Sequence, residues 1–114
     1  MNAPAMTVVS PSIQTLLSEL KARLGELYGE RLEDLLLFGS HARGDAGANS
    51  DVDVMVVLRG PVDAHEEIHR MVSIVVELEL AWGMILSVLP VAEVDYHRAS
   101  KSVIVEARRD GTIV

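Results

Sequence analysis

The sequence predicts a small α/β (α+β) domain in which helices flank a mixed sheet. Apolar residues recur at helical spacing in some segments and form short continuous runs in others. These segments follow one another as helix, strand, strand, helix and strand, an order typical of a sheet covered by helices. The chain has 114 residues, 49% of them hydrophobic, which suits a single core. We therefore expect one domain over residues 10–114 and a flexible tail over residues 1–9.

The first helix is predicted to begin at Ser10 and Pro11, because serine is a favoured N-cap and proline is favoured in the first turn. Gly29 is expected to end this helix. Its apolar residues recur at helical spacing and are Ile13, Leu16, Leu17, Leu20, Leu24, Leu27 and Tyr28. The continuous apolar run Leu35–Phe38 then predicts a buried strand.

A loop, a strand and a helix are predicted for the middle of the chain. Residues 39–50 are small and polar, and a long loop of this kind in a small domain is often functional. The second strand is expected over Val52–Leu58, and a second long helix over about Asp63–Ala81. The apolar stripe of that helix is expected to be Ile68, Met71, Val72, Val75 and Val76.

The last third of the chain is predicted to hold one more buried strand and several short elements. Met84–Val91 indicates the third strand, and Ala92–Ala99 a turn or a short helix. A helical segment follows over Ser102–Arg109, and Thr112–Val114 is expected to add a short edge strand.

Charge and composition exclude several classes of protein. Lys and Arg number 10 against 17 Asp and Glu, so the net charge is −7 and direct DNA binding is not expected. The sequence has no cysteine, which excludes disulfides and thiolate metal sites. Its first residues lack the pattern of a signal peptide, and we expect a cytoplasmic protein.

One apolar stretch, residues 71–92, raises the question of a membrane span. Glu77 and Glu79 lie near its middle, and each carboxylate would be costly to place in lipid. Gly83 and Pro90 also interrupt the stretch. We therefore interpret it as the end of an amphipathic helix, a turn and a buried strand, with no membrane association.

The most informative pattern is a pair of aspartates at the start of the second predicted strand. Asp51 and Asp53 lie two residues apart, so a strand projects both carboxylates from one face, roughly 6–7 Å apart. Two such charges repel each other and resist burial unless a cation compensates them. Hard oxygen ligands suit Mg²⁺ or Mn²⁺, so both residues are candidate metal ligands. The alternative is that they only cap the junction of loop and strand.

The other end of the loop carries residues suited to binding phosphate. Gly39 allows the backbone to approach a ligand closely, and Ser40 adds a hydroxyl and an N–H group at a turn. Arg43 follows closely and could neutralise phosphate charge, although an exposed loop arginine is a common alternative. The segment is therefore interpreted as a triphosphate site that faces a metal-binding pair of aspartates.

These residues together resemble a known signature. The DNA polymerase beta-like nucleotidyltransferase superfamily has Gly-Ser, a ten-residue spacer and Asp-X-Asp, a pattern that closely resembles LFGSHARGDAGANSDVDVMVVL. The short length, the GSxARG form and the closing ARRDGTIV resemble the minimal nucleotidyltransferases of prokaryotes, and the resemblance covers about residues 10–114.

The resemblance implies a polymerase beta palm-like fold and a metal-dependent transferase. It implies that ATP or another NTP binds with Mg²⁺ or Mn²⁺ at Gly39, Ser40 and Arg43, with Asp51 and Asp53 as the catalytic, metal-binding residues. Many minimal nucleotidyltransferases are antitoxins encoded beside a HEPN-domain toxin, and some transfer AMP to a tyrosine of that toxin. The implied partners are therefore a nucleotide and a HEPN-domain protein.

One position departs from this pattern. The superfamily usually has a third carboxylate on the strand after the central helix, and in this chain that strand has no Asp or Glu. Ser87 is its only polar residue and is the expected occupant of the third position. Four residues outside the strand could substitute, namely Glu77, Glu79, Glu93 and Asp95. The second hypothesis is therefore an inactive antitoxin that neutralises its partner by binding alone. A homo-oligomer is also possible, since the third strand is expected at a sheet edge.

The segment His65–His69 matches the H-E-x-x-H pattern of zinc hydrolases. We reject this interpretation because the glycine of the extended metzincin motif would fall at Val72. Glu66 also continues into a polar stripe, as expected for a solvated helix face.

Overall fold

The computed structural model describes residues 9–47 and 49–114, so the prediction for residues 1–8 lies outside the described residues. A four-stranded mixed sheet with helices packed against it confirms the predicted fold class. The strands are β1 (Leu32–Phe38), β2 (Val52–Leu58), β3 (Leu86–Ala92) and β4 (Thr112–Ile113). The helices are α1 (Pro11–Tyr28), α2 (Ser40–Arg43), α3 (Ala64–Trp82), α4 (Glu93–Arg98) and α5 (Ser102–Asp110).

The sheet has the order β3-β2-β1-β4. Strand β1 is antiparallel to both β2 and β4, whereas β2 and β3 are parallel and are connected through α3. Helices cover both faces, and residues Val54–Leu58 of the central strand are completely buried. Side chains alternate between the faces, so Val54 and Val56 pack towards α1 and α3, whereas Met55 and Val57 pack towards α5. Asp53 shares the α5 side with Met55 because it lies two residues before it.

Both ends of α1 follow the local sequence signals. The Ser10 hydroxyl accepts a hydrogen bond from the Ile13 N–H at 3.3 Å, and Pro11 occupies the first turn. Gly29 ends the helix at φ 57°, and a 3₁₀ turn over Gly29–Arg31 leads into β1. Strand β1 begins at Leu32, three residues before the predicted start, because Leu32 pairs with Leu58 across an irregularity in the ladder.

The predicted apolar stripe of α3 is only half correct. Met71 and Val75 are buried, but Ile68, Val72 and Val76 are exposed. The buried face is rotated relative to the prediction and consists of Glu67, Met71, Ile74, Val75 and Leu78.

A buried ionic network accounts for the inward position of Glu67. Its carboxylate accepts hydrogen bonds from the Tyr28 hydroxyl at 2.9 Å, from Arg70 at 3.0 Å and from Arg31 at 3.3 Å. Burial, together with the hydrogen bond to Glu67, holds the pKa of the Tyr28 phenol well above its usual range. A carboxylate that is paired and hydrogen-bonded can be buried. Glu67 therefore lies on the buried face of α3, whereas a prediction from hydrophobicity alone places Ile68 there.

The apolar stretch 71–92 divides between two elements, as predicted. Helix α3 ends at Trp82 with Gly83 in the left-handed conformation, and β3 begins at Leu86. Among the helices of residues 9–47 and 49–114, none has the length and apolar character needed to cross a membrane.

Strand β3 is at a sheet edge, as predicted, but its edge offers few backbone donors. The Val52 N–H bonds to the Ile85 carbonyl, so the backbone groups of Ile85 and of every second residue after it face β2. The backbone groups of the residues between them, Leu86, Val88 and Pro90, face away from the sheet. The Glu79 carboxylate accepts the Leu86 N–H at 2.9 Å, and proline has no N–H to donate. Such features are typical of edges protected against strand addition.

Candidate functional site

The turn between β1 and α2 lies directly against Asp53. Strand register places Phe38 opposite Asp53, so the next residue, Gly39, reaches the aspartate side chain. Gly39 has φ 75° and ψ −155°, a conformation that is essentially restricted to glycine. A Cβ atom at this position would lie 2.3 Å from Asp53 Oδ2, far inside van der Waals contact. The predicted proximity of the Gly-Ser turn and the second aspartate is therefore a close contact in the structure.

The loop after Gly39 contains a short helix that was not predicted from the sequence. Helix α2 makes a single turn, in which the Arg43 N–H bonds to the Gly39 carbonyl at 3.1 Å. Gly44 ends the turn at φ 83°, and its N–H bonds to the Ser40 carbonyl at 2.9 Å. Ser40 is half-buried at the start of this turn, and Arg43 is exposed at its end.

Asp51 and Asp53 flank the first residue of β2, with Asp51 exposed and Asp53 half-buried. Burial raises the pKa of Asp53, and the negative charge of Asp51 raises it further. The charges of His41 and Arg43 lower the pKa of Asp53, and the charge of Glu106 raises it. Among residues 9–47 and 49–114, no hydrogen bond or ion pair compensates either carboxylate.

The donor set of this pair fits a divalent metal ion. Two carboxylates lie two residues apart at the start of one strand, and burial and the neighbouring charge of Asp51 raise the pKa of Asp53. Oxygen donors of this type suit Mg²⁺ or Mn²⁺. The residues present are therefore consistent with the predicted metal site.

The structure places Ser87 beside the aspartates. Ser87 of β3 is the direct neighbour of Asp53 in the parallel ladder, and neighbours in register point to the same face. Its hydroxyl is exposed on the side of the sheet that carries the two carboxylates.

Of the four acidic residues that could substitute for the third carboxylate, two have partners in other contacts and two lie at the other end of β3. Glu77 pairs with Arg23 of α1, and Glu79 accepts the Leu86 N–H. Glu93 and Asp95 belong to α4, which follows the far end of β3, beside Leu58 rather than Asp53.

Glu106 is an acidic residue near the site that sequence reasoning missed. Its Oε1 atom lies 3.2 Å from Nη1 of Arg43, across 63 residues of sequence. Helix α5 holds Glu106 in place because Ile104 and Ala107 are buried against the sheet face that carries Asp53. Glu106 directly precedes the closing segment ARRDGTIV, which resembles the minimal nucleotidyltransferases. No local sequence pattern indicates that Glu106 contacts Arg43.

A second acidic cluster is separate from this site. One carboxylate oxygen each of Glu33 and Glu93 and one nitrogen of His97 lie within 4.8 Å of one another, at the opposite end of the sheet from Asp53. Arg59 already lies 3.5 Å from Glu33, so a guanidinium provides positive charge there. This cluster is therefore not the predicted metal site.

The H-E-x-x-H segment lies on the outside of α3. His65 and His69 are both exposed and line a shallow, open depression with Glu66 and Arg70. In the part of the chain that the structure describes, the histidine pair does not belong to a group of three His, Asp or Glu side chains whose ligand atoms lie within 4.8 Å of one another.

Curated proteins share sequence similarity with this chain. Two proteins of Methanocaldococcus jannaschii, provisionally named protein adenylyltransferases, match it. One is 28% identical over 63% of this chain and 72% of its own length, and the other 29% identical over 72% of each.

Two solved structures share the fold. A provisionally assigned nucleotidyltransferase from Sulfolobus solfataricus has a TM-score of 0.56 at 18% identity, covering 95% of this chain and 89% of its own. A toxin–antitoxin complex, MntA–HpeT, contains a chain with a TM-score of 0.55 at 17% identity, covering 82% of this chain and 68% of its own. The family model described as a nucleotidyltransferase domain matches residues 17–110. The chain therefore belongs to the nucleotidyltransferase domain family.

Proposed function

We propose that the protein binds ATP with Mg²⁺ or Mn²⁺ and transfers AMP to a hydroxyl group of a partner protein. The single observation that carries this proposal is the contact between the Gly39–Ser40 turn and Asp53. That contact brings the proposed phosphate-binding turn and the carboxylate pair to one end of the sheet. The provisional names of the relatives support adenylyl transfer as the reaction.

The proposed reaction forms one bond and breaks one bond. The acceptor oxygen attacks the α-phosphorus, the bond from the α-phosphorus to the bridging oxygen breaks, and pyrophosphate leaves while the hydroxyl proton passes to water. A divalent ion, when bound, would neutralise phosphate charge and lower the pKa of the attacking hydroxyl. Asp51 and Asp53 would hold that ion on the α5 side of the sheet. The Ser40 hydroxyl and Arg43 would bind phosphate oxygens.

The proposed partner is a HEPN-domain toxin, with this protein as its antitoxin. The structural neighbour in a toxin–antitoxin complex supports this assignment, as does the resemblance to minimal nucleotidyltransferases. Modification of a toxin hydroxyl would add a bulky, charged nucleotide to the toxin and would thereby inactivate it.

Label transfer from α-³²P-ATP to a co-purified HEPN protein tests the reaction. Wild type should label the partner only with Mg²⁺ or Mn²⁺ present, and Asp53→Asn should abolish labelling. Asp34→Asn is a matched control, since Asp34 lies at the far end of β1, opposite Val57. Failure of wild type to transfer label while it still binds ATP would contradict the enzymatic proposal but not the fold.

A second candidate function is neutralisation of the partner by binding alone. The observation that favours it is Ser87, a hydroxyl residue beside Asp53 on the strand where the superfamily usually has a carboxylate. The combined change of Asp51→Ala and Asp53→Ala separates the two functions in a growth assay with the toxin. Loss of toxin suppression with an intact complex supports enzymatic action, and retained suppression supports binding alone.

A further inference from the structure

We propose that Glu106 is a positioning residue that orients Arg43 for binding the triphosphate. This inference rests on the proposed function, because it concerns how that function holds its nucleotide. Its evidence is independent of the family signature, since Glu106 lies outside the Gly-Ser and Asp-X-Asp segments. The evidence consists of the contacts of the Arg43 guanidinium and the way in which α5 is anchored.

Two carboxylates hold two of the three guanidinium nitrogens of Arg43. Nε lies 3.3 Å from Asp45 Oδ2, and Nη1 lies 3.2 Å from Glu106 Oε1. Among the residues that the structure describes, no hydrogen-bond partner occupies Nη2. A planar guanidinium fixed at two corners points its third nitrogen in one direction. Arg43 is therefore oriented with Nη2 available to a ligand.

Of the two carboxylates, Glu106 ties Arg43 to the folded core. Asp45 is two residues from Arg43 in the same exposed loop, so it can move together with the arginine. Glu106 instead belongs to α5, whose Ile104 and Ala107 are fully buried. Helix α2 has only one turn, and the Glu106 contact connects the end of that turn to α5.

The ion pair is too exposed to serve mainly as a source of stability. The side chains of Arg43 and Glu106 are 38% and 46% exposed, and ion pairs of this kind contribute little to folding. An oriented arginine, in contrast, binds phosphate without first losing its rotational freedom. Repulsion between Glu106 and the phosphates opposes this benefit, but salt screens charges at exposed sites. We expect the orienting effect to dominate.

Nucleotide binding and turnover test this role. The binding probe is Mg²⁺ with an ATP analogue that has a methylene bridge between the α and β phosphates, titrated by calorimetry. Glu106→Gln should weaken binding by about two- to tenfold, the coupling typical of residues in contact. It should raise KM for ATP with little change in kcat and leave the unfolding midpoint unchanged. Glu26→Gln is the matched control, since Glu26 is exposed on α1, remote from the site.

A double-mutant cycle shows whether Glu106 acts through Arg43. Arg43→Met should weaken binding more than Glu106→Gln does, and the double variant should match Arg43→Met alone. Unchanged binding in Glu106→Gln, tighter binding or additive effects would each overturn the positioning role while the proposed function stands. Failure of wild type to bind the probe would overturn the proposed function, and the positioning role with it.

Discussion

Replacing Gly39 with alanine tests how closely the β1–α2 turn must approach Asp53. The added Cβ would lie 2.3 Å from Asp53 Oδ2 and 3.2 Å from its Cγ. The aspartate must therefore move away by about 1 Å or more to reach normal contact. Because the carboxylate then no longer faces the Gly-Ser turn, we expect both nucleotide binding and transfer to be lost.

The loss of stability has two separable parts. The backbone conformation at Gly39 costs a residue with a Cβ about 1–3 kcal/mol. Overpacking against Asp53 adds about 1–3 kcal/mol, so the total is roughly 2–6 kcal/mol. Gly29 is a matched control because it has a similar conformation, φ 57° and ψ −129°, and a Cβ added there would meet no atom within 4 Å. Gly29→Ala should therefore show only the backbone part.

Urea unfolding measures the difference between these variants. Midpoints of the two alanine variants should differ by on the order of 1 M, since the overpacking part is divided by a slope of about 1–3 kcal/mol/M. Asp53→Ala in the Gly39→Ala background removes Oδ2 and Cγ and should recover most of that difference, but not activity. Equal midpoints for Gly39→Ala and Gly29→Ala, or no recovery in the double variant, would refute the proposed contact.

Three further changes test other parts of the structure. In metal-free buffer at pH 7, Asp53→Asn should raise the unfolding temperature. Burial raises the pKa of Asp53 above 3.8, so the folded state loses stability as the pH rises beyond that value, and an unchanged temperature would contradict this. Tyr28→Phe removes the hydroxyl that donates to Glu67 and should cost about 1 kcal/mol in urea unfolding, whereas no loss would show that the buried bond is dispensable. Combining Glu79→Ala with Pro90→Val frees the Leu86 N–H and adds an N–H at position 90, both on the open edge of β3. Light scattering should then show more self-association than in wild type, and equal scattering would argue against edge protection.

Much of the fold could be predicted because its signals are local. The N-cap at Ser10 and the glycines at positions 29 and 83 fix helix ends through a few neighbouring atoms. The observed bounds of strand β2 match the prediction because six of its seven residues are apolar and Arg59 and Gly60 follow it. The rotation of α3 was not predictable in this way, since Glu67 is buried only where Tyr28, Arg31 and Arg70 meet it.

The candidate site was likewise predictable from the sequence only in part. The proximity of Gly39, Ser40, Asp51 and Asp53 could be predicted because they lie on β2 or on the segment that connects it to the adjacent strand β1, where spacing along the chain sets distance in space. The short helix α2 was missed because a single turn has too few residues to show a period. Ser87 could be proposed from sequence as the polar residue of β3, but its register with Asp53 depends on how two strands pair.

The sequence by itself determined the longer helices, the order of the strands along the chain, the glycine turn and the spacing of the two aspartates, because each depends on residues close along the chain. Only the tertiary structure decided that Glu67 is buried, that Ser87 lies beside Asp53 and that Glu106 pairs with Arg43. These contacts join segments separated by tens of residues. Their geometry follows from the packing of whole helices and strands against one core, which no local pattern of side chains encodes.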